Sequence, residues 1–147
     1  MSRRQLKKMK KVEASYVAGI IDGEGTITLT RESKLRKFKT PHISVPSTSH
    51  EILDAMINLV GGGNIIQKKK YKKHHKQSYV WTVTGRQCVD LCKMIFPFLR
   101  ETKKKRRAEK FAKEWNKITP INGKYSEKIL RKKLKFEKTF FDENAAV

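Results

Sequence analysis

One segment of nine residues, 17–25 (VAGIIDGEG), combines three glycines and two acids with otherwise apolar side chains. Gly19 and Gly23 are four positions apart, so on a helix they form a flat stripe along which a second backbone can approach closely. Asp22 and Glu24 stand beside that stripe, and carboxylate oxygens are ligands that hard divalent cations such as Mg²⁺ accept. The segment therefore predicts a helix that meets another helix and carries acids at its end.

A simpler interpretation of this segment is a helix that ends at a glycine and continues into a turn. It accounts for Gly23 or Gly25. However, it gives no reason for Gly19 inside the helix or for the second acid, Glu24.

The nine residues resemble the motif of the LAGLIDADG homing endonuclease family, with Glu24 in the place of the second acid. The order of predicted elements from residue 12 to 118 is also similar to that family. This chain carries one copy of the motif, and the resemblance to single-motif members implies a homodimer in which two motif helices pack side by side. The implied interface residues are Ala18, Gly19, Asp22 and Gly23.

The resemblance implies a metal site at the end of this helix. Glu24 of each subunit would bind the catalytic metal ions, and the main-chain carbonyl of Gly23 would be a further ligand, whereas Asp22 would hold the helix end. Phosphodiester hydrolysis needs charge neutralisation and a metal-activated water, for which one Glu per chain is too little. We therefore expect Mg²⁺, with Mn²⁺ tolerated, Ca²⁺ binding without supporting cleavage, and no organic cofactor.

Two further catalytic positions follow from the resemblance. Ser47 takes the place of a polar residue that orients the attacking water, with Thr48 as the alternative. Lys104 takes the place of a lysine that stabilises charge on the phosphate. Counting back from Ala108 selects Lys104, whereas counting forward from Pro97 selects Thr102, and Lys103 stays open.

Periodicity of apolar residues predicts an α+β chain of the order αββαββα with extra C-terminal helices. The predicted helices are 12–22, 48–60, 86–96, 103–118 and 126–141, and the predicted strands are 26–31, 39–45, 64–70 and 78–84. Thr48 and Glu51 are expected to form a capping box, and Leu130, Leu134 and Phe141 to be the apolar face of the last helix. We divide the chain into a basic arm (1–11), the endonuclease domain (12–118) and a C-terminal helical extension and tail (119–147).

Lys and Arg number 35 against 14 acids, which gives a net charge of +21 and predicts nucleic acid as the partner. The chain has no run of about 18 apolar residues that could cross a membrane. The basic N-terminus is not followed by an apolar segment, so we expect no secretory signal and a location inside the cell, in prokaryotic cytoplasm or an organelle. Cys88 and Cys92 are predicted to be reduced core residues.

The two hairpins predict a four-stranded antiparallel sheet with one face on the helices and the other reading double-stranded DNA. The resemblance places that second face in the major groove. The expected DNA-contacting residues are Thr26, Thr28, Thr30, Arg31, Lys39, His42, Ser44, Gln67, Lys69, Lys70, Lys103 and Lys105. The basic runs at 68–76 and 103–107 are expected to contact phosphates without regard to sequence.

Together these features predict a site-specific endonuclease of the intron-homing type that cuts both strands of a long, nearly palindromic site. Two alternatives keep the fold, namely a DNA-binding regulator without catalysis and an intron RNA maturase, and Glu24 argues against loss of catalysis. A third alternative is a ribosomal or other structural RNA-binding protein. Tyr79 and Trp81 argue against it, because they alternate as core residues do rather than as exposed RNA-stacking residues.

Overall fold

The computed structural model describes residues 5–69, 72–74 and 76–143 of the 147-residue chain. Its elements follow the predicted order αββαββα and end in a further helix. They are α1 Lys11–Glu24, β1 Thr26–Thr30, β2 Thr40–Ser47, α2 His50–Val60, β3 Asn64–Gln67, β4 Tyr79–Thr84, α3 Gly85–Ile95, α4 Thr102–Glu114 and α5 Glu127–Phe140. Short 3-10 turns, Phe96–Phe98 and Trp115–Ile118, follow α3 and α4.

The four strands form one antiparallel sheet in the order β1-β2-β4-β3, which confirms the predicted fold class. Its register pairs Ile27 with Ile43 and Val45 with Trp81 on the face that the helices cover. All four side chains are buried, because strand residues two apart share a face and these positions are apolar. The core therefore lies between this face and the helices, and the other face stays open.

The start of α2 differs from the prediction. Ser49 rather than Thr48 precedes the helix, and no side chain caps it. The Ser47 hydroxyl instead accepts a hydrogen bond of 2.9 Å from the backbone N–H of Ser49. The capping box of Thr48 and Glu51 is wrong because β2 extends to Ser47, which leaves Thr48 as part of a tight link.

The buried face of α5 also differs from the prediction. Phe136 and Phe140 are buried with Lys133, whereas Leu134 is 49% exposed and Phe141 is 43% exposed. The rings of Phe111 and Phe140 stack with centroids 4.9 Å apart, so α5 packs on α4. The prediction was wrong because Lys133 lies on the buried face of α5, where the apolar pattern had placed Leu134.

Lys133 lies in an aromatic pocket although it carries an ionisable group. Its Nζ is 3.4 Å from the ring centroid of Trp115 and donates a hydrogen bond of 2.6 Å to the Thr119 hydroxyl. Burial lowers the pKa of Lys133 to about 8, while the carboxylate of Glu137 raises it and the guanidinium of Arg86 lowers it further. The ammonium is thus kept in a place that favours the neutral amine.

This pKa makes a prediction for the stability of the fold. Between pH 8 and 10.5 the unfolded chain holds a proton on Lys133 that the folded chain has lost. The free energy of unfolding should therefore rise with pH across this window, by up to about 3 kcal/mol from this group. Urea titrations at pH 7 and 10 measure this change in the free energy of unfolding for wild type and for Lys133→Met, and the difference between the two proteins is the contribution of Lys133. Lys132→Met, at an exposed neighbouring position, is the control. An equal pH response in wild type and Lys133→Met would contradict the assignment.

Cys88 and Cys92 are free and completely buried, which confirms their assignment as reduced core residues. Burial raises the pKa of the Cys88 thiol, so the thiol form is favoured. In the described part of the chain, every helix is too short or too polar to cross a membrane.

Candidate active site and nucleic-acid interface

α1 has two different faces. Ala14, Val17, Ala18 and Ile21 are buried in the core of the chain. The opposite face carries Val12, 82% exposed, and Tyr16, 46% exposed, followed by Gly19 and Gly23. These four residues are spaced by four, three and four positions, so they line one stripe of the helix. We call them the outer stripe.

Ala18 does not belong to that stripe. Its side chain is fully buried within its own chain, so the prediction that Ala18 lies at an interface between two chains is wrong. The reason is the helical period: Ala18 lies four residues after Ala14 and three before Ile21, both of which face inward.

The glycines of the outer stripe have no steric role within the chain itself. Among the described residues, a Cβ added at Gly19 or Gly23 would have no atom within 4 Å beyond the adjacent backbone of its own helix. Beside Gly19 lies an open groove of about 550 Å³, which Phe98, Arg100 and Lys105 help to line. Space that the chain leaves empty at two helical glycines is what the close approach of a second helix requires.

The end of α1 is tied to the start of α4 in both directions. The Asp22 carboxylate accepts hydrogen bonds from the backbone N–H groups of Arg100 at 2.9 Å and Glu101 at 3.1 Å. In return, the Lys104 ammonium donates to the carbonyl oxygens of Ile21 at 3.1 Å and Asp22 at 2.7 Å. A cation at the last carbonyls of a helix also interacts favourably with the helix dipole.

Glu24, the last residue of α1, is exposed, and among the described residues it has no hydrogen bond or ion pair. Lys104 binds the carbonyls of residues 21 and 22, which leaves the carbonyl of Gly23 outside that contact. A carboxylate and a main-chain carbonyl are oxygen donors that fit Mg²⁺, Mn²⁺ or Ca²⁺. However, the described residues contain no group of three or more His, Cys, Asp or Glu that could hold a metal ion. Among the described residues, one chain thus offers fewer oxygen donors here than such an ion binds.

The other predicted catalytic residues fall in different places. Lys104 is half-buried at the end of α1, whereas Lys103 and Thr102 are exposed on the first turn of α4. Of the three positions left open, Lys104 is the one whose side chain contacts the end of α1, and its catalytic role stays a prediction. Ser47 is half-buried and serves the link to α2, and no hydrogen bond of the described residues joins it to Glu24. Its part in orienting water stays a prediction, as does that of the exposed Thr48.

The open face of the sheet, which we call the outward face, is free of charged side chains over the described strands. Its residues follow from the strand register and from side-chain alternation. They are Thr26, Thr28, Thr30, Thr40, His42, Ser44, Pro46, Asn64, Ile66, Val80, Thr82 and Thr84. Hydroxyls dominate this set, and Ser and Thr can either donate to or accept from base edges. The expected DNA contacts did not include Thr40, Pro46, Asn64, Ile66, Val80, Thr82 and Thr84. Period-two alternation alone does not say which strands are paired.

Several expected DNA-contacting residues are not on the outward face. Gln67 pairs with Tyr79 and alternates with Ile66, so it is on the helix side of the sheet. Lys39 is turned towards α5, with its backbone N–H bound to Glu137 and its ammonium 5.2 Å from the ring centroid of Phe141. Both residues therefore lie off the outward face, and their contact with DNA stays a prediction. Lys69 is exposed beyond β3, and Lys70 lies outside the described residues.

The basic run at the start of α4 is not uniformly available to phosphates. Arg106 and Arg107 are 9% and 8% exposed and both bind Glu143, at 3.4 Å and 2.9 Å. Arg107 also donates to the carbonyl of Ile27 at 2.9 Å, which ties α4 to β1. Lys103 and Lys105 remain exposed, so only part of the run can contact phosphates without rearrangement.

Two residues near the sheet have local roles of their own. Arg31 donates to the carbonyls of Arg36 at 2.6 Å and Lys37 at 3.4 Å, and so holds the loop between β1 and β2. Burial lowers the pKa of His42, and Glu32 partly offsets this effect. At neutral pH the His42 ring is therefore uncharged, and it offers one hydrogen-bond donor and one acceptor to a base edge.

Comparison with known proteins identifies this arrangement. No protein-family model matches the sequence, and no curated protein matches it. Among solved structures, the archaeal intron-encoded homing endonuclease I-Vdi141I, complexed with DNA, is similar with 19% identity and a TM-score of 0.66 over 92% of this chain and 86% of that one. The homing endonuclease I-CvuI, in complex with a DNA target, is similar with 18% identity and a TM-score of 0.67 over 93% and 85%.

A third neighbour, the LAGLIDADG homing endonuclease I-GzeII in complex with its DNA target, aligns differently. It is 12% identical with a TM-score of 0.64, and the alignment covers 99% of this chain but 49% of that one. The chain therefore has the LAGLIDADG homing endonuclease fold, as the motif at 17–25 predicted. The given sequence contains one copy of the motif, and it aligns with about half of the I-GzeII chain.

Proposed function

We propose that the protein is a site-specific DNA endonuclease that works as a homodimer with divalent metal ions, as intron-homing enzymes do. The observation that carries the proposal is the end of α1, where Glu24 is exposed, has no hydrogen bond or ion pair among the described residues, and follows the stripe of Gly19 and Gly23. The similar solved proteins are homing endonucleases complexed with DNA, and this supports the assignment.

The outer stripe supports a homodimer. A symmetric contact between two copies of α1 would cover Val12 and Tyr16 and use the space left at Gly19 and Gly23. It would also bring two Glu24 carboxylates together, which supplies what one chain lacks. Alignment of this chain with half of I-GzeII is in line with the same arrangement.

In this proposal the metal ions would be held by Glu24 and by the carbonyl of Gly23 from each subunit. When bound, the metal neutralises charge at the phosphate and lowers the pKa of a bound water. I-CvuI has been solved with the I-CreI target in the presence of 2 mM Mg, with the DNA not cleaved, and with its own target in the presence of 2 mM Ca. For this chain we propose Mg²⁺ as the cofactor that supports cleavage and Ca²⁺ as one that supports binding.

Lys104 has a defined part in this proposal. An ammonium has three donor hydrogens, and the carbonyls of Ile21 and Asp22 take two of them. The third is left for an oxygen of the scissile phosphate, next to the residue that would bind the metal. Asp22, by contrast, positions the α4 start through its two backbone contacts and does not need to touch metal or DNA.

Lys104→Met should lower the cleavage rate by about 10²-fold, because it removes a preorganised donor beside the reacting phosphate. Single-turnover cleavage with Mg²⁺ measures the rate, and thermal unfolding reports whether the end of α1 is still in place. The exposed neighbour Lys105→Met is the matched control. It should keep the rate and weaken binding, with the slope of log affinity against log salt reduced by about one. Equal losses of rate in both variants would assign Lys104 to general phosphate contact.

The function itself is tested by incubating the protein with a library of randomised duplex DNA, with Mg²⁺ in one arm and Ca²⁺ in the other. Discrete double-strand cuts with Mg²⁺, and tight binding to the same sequence with Ca²⁺, are expected. Tight binding to one sequence without cleavage would make the protein a DNA-binding regulator. Preference for a folded intron RNA over any duplex would make it a maturase.

A further inference from the structure

The outward face contains one row that is apolar. The register aligns Pro46 of β2 with Val80 of β4, and Val80 with Ile66 of β3. Ile66 is 56% exposed, and Pro46 and Val80 are half-buried. We call these three residues the apolar row. The next row, two residues along each strand, consists of Thr26, Ser44, Thr82 and Asn64, and we call it the polar row.

The apolar row is in an unusual place for exposed apolar side chains. β3 is an edge strand, and an exposed apolar residue on an edge strand invites aggregation unless it has a partner. Around the row the surface is basic, with exposed lysines at 68, 69, 72, 73 and 76. An uncharged, partly apolar centre inside a basic rim complements duplex DNA, whose phosphates flank a groove lined by uncharged base edges.

We propose that the apolar row contacts thymine methyl groups in the major groove and selects A·T pairs at one or two positions of each half-site. The C5-methyl of thymine is the apolar group that a base pair presents in that groove. The proposal rests on the DNA-binding function proposed above and names the residues that give it part of its sequence preference.

The dimensions of the row agree with this contact. Neighbouring strands are about 4.8 Å apart, so three strands span about 10 Å between β2 and β3, which fits a major groove of about 12 Å. Successive rows are about 6.8 Å apart along the strands, which corresponds to about two base-pair steps of 3.4 Å. The apolar row and the polar row therefore face different base pairs.

The register also says where in the half-site the thymine lies. β1 and β2 pair Thr26 with Ser44 and Thr28 with His42. β1 begins at Thr26, two residues after Glu24, so the polar row and the neighbouring apolar row lie at the end of the sheet nearest to the residue proposed to bind metal. The selected thymine is thus expected on the inner side of each half-site, close to the cut, and the rows of Thr28 and Thr30 lie farther out.

The test replaces single thymines by deoxyuridine, which removes the methyl group and keeps base pairing. The preferred duplex is first selected with wild-type protein and Ca²⁺, and the dissociation constant is then measured for each substituted duplex at constant salt. At one or two inner positions of each half-site, loss of a methyl should weaken binding about fourfold. In Ile66→Ser, loss of the methyl should no longer weaken binding, so the two dissociation constants become nearly equal. Thr28→Ala, which changes a row farther out, should leave the fourfold penalty unchanged.

Several outcomes would overturn the inference. A tightly bound site without thymine in its inner part, or one in which deoxyuridine has no effect, would leave the endonuclease proposal intact and reject thymine selection. An Ile66→Ser variant that changes the sedimentation of the free protein but not the uridine penalty would assign the row to a protein contact. Failure of wild type to prefer any duplex would instead reject the proposed function. The side chain of Ile66 is exposed, so the variant is expected to keep the wild-type melting temperature.

Discussion

Glu24→Gln is expected to abolish cleavage and to leave DNA affinity nearly unchanged. Glutamine has almost the same shape but lacks the charge that holds a divalent ion, so the rate with Mg²⁺ should fall by about 10³-fold or more. Because Glu24 is exposed and makes no hydrogen bond or ion pair among the described residues, the substitution should also leave the fold intact. Plasmid cleavage with Mg²⁺ and a binding titration with Ca²⁺ separate the two effects.

The matched control for this variant is Glu127→Gln, which removes an exposed acid at the first turn of α5, on a different helix. It should cut and bind as wild type does. If Glu24→Gln still cuts at the wild-type rate, the metal is held elsewhere and the proposed site at the end of α1 is wrong. If the variant neither cuts nor binds DNA, Glu24 has a structural role in the dimer and does not act in the reaction alone.

Gly19→Leu is expected to stop cleavage while making the single chain no less stable. Leucine is better than glycine inside a helix by about 0.8 kcal/mol, and among the described residues a Cβ at this position has no atom within 4 Å beyond the adjacent backbone of its own helix. In the proposed dimer the same side chain would hold the two α1 helices apart. Sedimentation should then show a monomer, and cleavage should fall below detection because no pair of Glu24 carboxylates can form.

Lys132→Leu provides the comparison, since it adds the same side chain at an exposed position of α5. It should stay dimeric and active. A Gly19→Leu protein that sediments as a dimer and cuts DNA would show that the outer stripe is not the interface. Combined with thermal unfolding at low protein concentration, the pair distinguishes loss of association from loss of fold.

The local geometry of the motif could be predicted from the sequence because it involves only a few neighbouring residues. The motif at 17–25 lies within little more than two turns of helix, so its spacing directly fixes the stripe of Gly19 and Gly23 and the position of Glu24 at the end. Alternation of side chains with period two likewise identifies β1, β2 and β4. The order αββαββα followed from these local patterns, and the structure has it.

Positions that depend on packing could not be read in the same way. Ala18 has the composition of a helix contact, yet it faces the core because the sheet and α3 cover that side of α1. Lys133, Arg106 and Arg107 carry charge and are nevertheless buried, since aromatic rings, carbonyl groups and Glu143 compensate them. A pattern that treats every Lys and Arg as exposed cannot identify such residues.

From the sequence by itself we thus predicted the class of chemistry, the acid that would carry it and a polyanionic partner. Tertiary structure alone decided that Lys104, 83 positions from Ile21, meets the end of α1, and that Pro46, Val80 and Ile66 form one row. The physical reason is that helix and strand periods act between residues a few positions apart. Register and helix packing instead join residues that are distant in the chain, and their choice depends on the summed burial of the whole core.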